Sequence, residues 1–284
     1  MKNSHKFLLK NLHWLGLVIL LSLAPPAFAQ VVGSKHDLGT DGGGQAPGGT
    51  DEVCVFCHTP HAADTTEPNL PLWNRVSNIE QTRFTRYSST GTPSFDSEEA
   101  DVGSISLACL SCHDGTQAMD SVINAPGSGN YNAGGASIGG GLSMTPALGP
   151  LPNLTEDLSD DHPISIPYAA GGPVDGDADG TYPGVLVDPD FKDPEKATLN
   201  LQPIWWVDVA GGVAGTREKN DIMLYARNET VNLVTDVRPF VECGSCHDPH
   251  NADSASVVAG SEAVAFLRTD DNADSKICVA CHDK

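Results

Sequence analysis

All eight cysteines of the chain sit in one repeated pentapeptide, Cys-x-x-Cys-His: Cys54 to His58, Cys109 to His113, Cys243 to His247 and Cys278 to His282. Two thiols one short turn apart can add across the two vinyl groups of a haem, and the adjacent histidine then stands beneath the iron. A single CxxC would also suit zinc or a redox dithiol. Four copies, each followed by histidine and with no cysteine left over, select covalent c-type haem instead. The expectation is four haems, attached through Cys54 and Cys57, Cys109 and Cys112, Cys243 and Cys246, and Cys278 and Cys281. His58, His113, His247 and His282 are the expected proximal ligands.

The remaining histidines complete the coordination. Of ten histidines, His5 and His13 lie in a leader segment, and His36, His61, His162 and His250 remain as distal ligands, one per iron. The matched count predicts bis-histidine ligation with no iron left open. Met119, Met144 and Met223 are the competing axial ligands, but none stands in a ligand-like context, and they are read as packing residues. Two imidazoles leave the iron at lower potential than a His/Met pair, so the expected haems form a low-potential relay. His61 and His250 each follow a proximal histidine by three residues, a span of at most about 10 Å. That is too short to round a porphyrin edge, so each must serve a different haem from its neighbour.

The elements that hold these residues are sparse. Lys2, Lys6 and Lys10 precede an apolar run from Trp14 to Ala24 and an Ala27-Phe28-Ala29 cleavage pattern, which reads as a signal peptide over residues 1–29. The run is too short to span a bilayer, and no later segment approaches the required length of about 20 apolar residues. Export follows, to the compartment where c-type haem is attached. Residues 30–118 then carry two motifs, residues 119–238 form a Gly- and Pro-rich centre without one, and residues 239–284 carry the last two, within one tetrahaem domain. With 29 Gly, 20 Pro and 6% aromatic residues, the fold class reads as mostly irregular, with few short α-helices, minor β and four stacked haems as scaffold. The central apolar patches Ile204-Trp205-Trp206-Val207 and Ile222-Met223-Leu224-Tyr225 are expected to pair as short strands or to cover porphyrin faces.

A formal net charge of −21 disfavours nucleic acid as a partner and favours solubility. Asp175, Asp177 and Asp179 repeat the opening of a calcium loop. However, Leu186 stands where a bidentate glutamate belongs, so a solvated acidic loop is the stronger reading and Ca2+ the weaker. Asn153-Leu154-Thr155 and Asn228-Glu229-Thr230 match the glycosylation tripeptide, a weak signal.

The segments Cys54 to His61 (CVFCHTPH), Pro71 to Arg75 (PLWNR), Cys109 to Thr116 (CLSCHDGT), His162-Pro163-Ile164 and Cys243 to His250 (CGSCHDPH), with the Ser34-Lys35-His36-Asp37 arm, resemble the OmcE-type extracellular tetrahaem cytochromes. The resemblance implies head-to-tail polymerisation into a filament with one continuous haem chain and one distal histidine donated across the subunit interface. By position that donor is His61, with His36 second; the resemblance then implies His250 on the C-terminal haem pair, with His36 and His162 on the N-terminal pair.

Three functions follow as expectations. The first is an extracellular conducting filament that passes electrons to external acceptors. A discrete periplasmic tetrahaem shuttle is the alternative. An oxyanion reductase ranks last, because it needs an open iron and the histidine count leaves none.

Overall fold

Hydrophobic and β-favouring residues cluster between the second and third motifs, and that is where the sheet forms. The structure is a computed structural model describing residues 31–40, 48–77, 79–87, 100–127, 130–145, 152–170, 188–209, 212–231, 234–251, 266–269 and 275–283. The leader segment and Asp175, Asp177 and Asp179 lie outside the described residues.

Strands β3 (Ile166–Pro167), β4 (Glu195–Leu199), β5 (Gln202–Val207), β6 (Ile222–Val231) and β7 (Val234–Val241) form a five-stranded antiparallel sheet in the order β3-β7-β6-β5-β4. The two central apolar patches pair with each other, Trp205 opposite Leu224 and Val207 opposite Ile222. Trp205, Val207, Ile222 and Leu224 bury against Tyr168 and Val241, and Ala280 of the fourth motif closes the same cluster. The sheet is therefore the platform on which the last motif rests. A second hairpin joins β1 (Ser121–Asn124) to β2 (Tyr131–Ser137).

Among the described residues, helices are few and short. α1 (Ser104–His113) contains the whole second motif, α2 (Cys243–Cys246) is the third motif's single turn, and α3 (Lys276–Cys281) carries the fourth. α1 inserts Leu107 and Leu110 among Val102, Ile79, Phe84 and Leu158, forming a second core cluster. Helices of this size are held by packing rather than by propensity. Few helices, antiparallel sheets and long irregular connections agree with the expectation of a largely irregular chain.

No helix of the described residues is long and apolar enough to cross a membrane.

Candidate haem sites

Each motif forms one tight turn, because spacing of three and four residues places side chains on one helical face. The amide of the closing histidine donates to the carbonyl of the first cysteine, His58 to Cys54 at 2.8 Å, His247 to Cys243 at 3.0 Å and His282 to Cys278 at 2.9 Å. The two sulfurs and the imidazole thus project together. Burial pushes the thiol of Cys57 up to about 12, that of Cys246 to about 11 and that of Cys281 to about 12. Such thiols are neutral at neutral pH, unlike the thiolates of redox dithiols.

The attachment cysteines follow one another in space as they do in sequence. Cys112 adds to the rise at Cys57, the Cys243 amide donates to the Ser106 hydroxyl of α1 at 3.0 Å, and Cys278 adds to the rise at Cys246. Motifs one and two, two and three, and three and four are therefore neighbours. At the second of these junctions Gly244 is required for close approach: a Cβ there would stand 2.4 Å from the Tyr225 hydroxyl and 2.9 Å from Ile105 of α1.

Two pairs of histidines face each other across gaps of one size. The ring centres of His36 and His113 are 6.1 Å apart, and those of His58 and His250 are also 6.1 Å apart. A metal–imidazole bond of about 2 Å on each side, plus roughly 1 Å from each bonding nitrogen to its ring centre, gives about 6 Å for two imidazoles sharing one metal. The spacing fits an iron between each pair. Nδ1 of His58 donates to the Pro71 carbonyl at 2.7 Å, and Nδ1 of His113 to the Pro152 carbonyl at 2.6 Å. A tautomer fixed in this way leaves Nε2 for a metal. The buried indole N–H of Trp73, whose ring meets His58 edge-on, has no acceptor among the described residues. A haem carboxylate would supply one.

His36 is held from three directions. Asp37 accepts the amides of Gly33 at 2.7 Å and Gly39 at 3.1 Å, so the glycine-flanked arm closes into a rigid turn. Phe266 stacks on the His36 ring at 4.2 Å with planes 10° apart, and the Pro249 carbonyl accepts a hydrogen bond from the ring. Burial, then repulsion from His113, lowers His36 to about 4, so the imidazole is neutral, the form that binds metal. Burial likewise lowers His113.

His250 is held by Asp248, 3.4 Å from its Nδ1. That hydrogen bond raises His250 and, in turn, brings Asp248 down to about 2. A carboxylate behind the ring raises the basicity of the nitrogen facing the metal. His250, expected on the C-terminal pair, has its ring facing His58 of the first motif. His36, read as serving the N-terminal pair, lies by His113 of the second motif.

His61 and His162 occupy the surface. The His61 backbone is fixed by Thr59 and by Asn124, which donates to its carbonyl at 3.0 Å, while its side chain is exposed. His162 is exposed as well, its Nδ1 2.9 Å from the Pro163 carbonyl. Phe191 leans on His282 at 4.4 Å, pairs with it as an isolated bridge, and joins the fourth motif to Tyr168 of the core. Met119 is buried, its carbonyl bonded to Arg75, in keeping with a packing role.

Four positioning residues escaped the sequence reading. Asp248 and Phe266 orient the imidazoles of His250 and His36. Asn74 and Arg75 bond inside two different motifs, Asn74 to the Val55 carbonyl at 2.7 Å and Arg75 to the Ser111 carbonyl at 2.9 Å. Their segment stood out in the sequence, but neither side chain's role did.

No curated protein matches the chain. Residues 239–284 match the family described as the doubled CXXCH motif. The match covers the third and fourth motifs and the segment between them, where the chain carries Cys243, Cys246, His247, Cys278, Cys281 and His282. Covalent attachment of c-type haem is what such motifs indicate, and the doubled motif points to a multihaem c-type cytochrome with a role in electron transfer.

Proposed function

We propose that the protein is a tetrahaem, bis-histidine electron carrier that assembles head to tail into an extracellular conducting filament. The observation that carries the electron-transfer part is the contact of successive motifs: the Asn74 amide donates to Cys57 of the first while Arg75 bonds Ser111 of the second, the Cys243 amide donates to Ser106 of the helix that carries the second, and Cys246 lies by Cys278. When bound, haem supplies one-electron ferric/ferrous chemistry. The chain's own part is to fix distances, ligands and surroundings so that an electron moves along the row without a chemical step at any side chain. His113 with His36, and His58 with His250, would hold two of the irons.

The filament part is supported by the exposure of His61 and by its anchored backbone, which present an imidazole outward for a haem of the next copy. His162 is the second candidate. His36 is set aside as donor, because its ring meets the same chain's His113. Signal-dependent export belongs to the same reading.

A discrete periplasmic shuttle is the second reading, and the closure of the N-terminal arm onto its own chain favours it. Negative-stain electron microscopy of the purified holoprotein separates the two, with haem content and an absorption spectrum taken from the same sample. Filaments that are lost in His61→Ala support the conductor. Dispersed particles with fully low-spin haem support the shuttle.

A further inference from the structure

Asn74 and Arg75 are adjacent, and their side chains reach into different motifs. Asn74 bonds the carbonyls of Val55, between Cys54 and Cys57, and of Asn124. Arg75 is 1% exposed, and all five of its N–H groups are satisfied. Nε donates to the Ser111 hydroxyl at 3.1 Å. One terminal nitrogen bonds the carbonyls of Met119 and Ser121, and the other those of Ser111 and Ala118, at 2.7 to 3.2 Å. Every acceptor is neutral. Among the described residues no carboxylate pairs with this guanidinium, although the chain has 37 acidic residues to 16 basic ones.

A buried cation is costly unless paired, and here four carbonyl dipoles and one hydroxyl compensate it. Its field is consequently not cancelled locally, and it is weakly screened in the interior. Its reach is visible at Cys57, whose thiol it pulls down against the effect of burial. Ser111, between Cys109 and Cys112, is bonded directly. The charge thus stands between the attachment points of the first and second motifs.

We propose that Arg75 is a fixed cation that raises the reduction potentials of the haems attached at Cys54/Cys57 and Cys109/Cys112 relative to the other two. This rests on the tetrahaem reading above. A ferric haem that takes up one electron loses one unit of positive charge, so a nearby cation favours the ferrous state. Electrons resident on the protein then collect on the N-terminal pair, and the row acquires a direction.

Spectroelectrochemical titration of the holoprotein tests this, with haem content measured on every sample. Arg75→Gln should lower two of the four midpoint potentials and leave the other two in place. At a fixed applied potential those two haems should show about a tenfold smaller ferrous-to-ferric ratio, or about 59 mV for one electron. Arg75→Lys keeps the charge and should titrate like the parent. Ser111→Asp places a carboxylate against Nε with the arginine retained, and should reproduce the downward shift. It decides the question should Arg75→Gln fail to mature. Parental potentials in both neutralising variants, or an equal shift of all four haems, overturn the proposal. A parent protein with fewer than four haems would overturn the underlying reading instead.

Discussion

His250 faces His58 with ring centres 6.1 Å apart, although the turn that carries it also carries His247 of a different motif. A histidine three residues beyond a proximal ligand cannot reach the opposite face of the same porphyrin, and the structure sends it to another motif altogether. One backbone turn, His247 to His250, thereby links the third motif to the first, while the Cys243 amide, bonded to Ser106 of α1, links the third to the second.

Replacing His250 by Ala is expected to leave covalent haem content unchanged and to open one iron. The absorption spectrum should gain a high-spin component of about one quarter of the haem, given four haems. A spectrum that stays fully low-spin would remove His250 from the ligand set. His250→Met tests the same site by substitution of a thioether, and one midpoint potential should rise.

Asp248 is expected to tune that same iron without touching it. Asp248→Asn keeps the shape but withdraws the charge that raises His250. The imidazole becomes a weaker donor, the ferric state loses stabilisation, and one potential should move upward while the spectrum stays low-spin. An unchanged titration would reduce Asp248 to a simple turn residue.

The attachment chemistry was legible in the sequence because it is local: a CxxCH turn needs only its own five residues. The central sheet was half legible. The patches around Trp205 and Leu224 announced strands by composition, but their mutual register depends on residues far apart. Distal pairing was not legible. The count of spare histidines matched the count of motifs, yet nothing near His36 in sequence names His113, and Phe266, which orients its ring, comes from the far end of the chain. Arg75 was hidden differently. Nothing in the sequence distinguishes it from any other arginine until five acceptors from distant residues collect around it.

His36 depends on a turn and a stacked ring, which can be separated experimentally. Asp37→Ala removes the acceptor of two amides and should loosen the whole arm, giving a high-spin fraction that grows with temperature. Phe266→Leu keeps apolar cover but loses the parallel ring, so the ligand should stay bound with altered orientation, visible in the low-spin electron paramagnetic resonance signal. Identical behaviour of both variants and the parent would show that iron ligation alone holds His36.

Glu242 provides the pH test. Its carboxylate is 1% exposed, accepts hydrogen bonds from Ser106, Ser165 and Arg227, and sits immediately before Cys243. Burial raises it above the ordinary carboxylate value, more than these partners lower it. A carboxyl with a raised folded pKa binds more protons in the native than in the unfolded state between those two values, so stability falls as pH rises through that window. The contribution is fully present below the unfolded value of 4.5 and lost above the folded one. Glu242→Gln cannot ionise and should lack this component. Thermal midpoints of variant and parent, measured from pH 4 upward, should therefore diverge, with the variant gaining on the parent as pH increases. Parallel curves across that range would mean that the Arg227 pair and the two hydroxyls fully offset burial, leaving the carboxylate as stable inside the fold as in water.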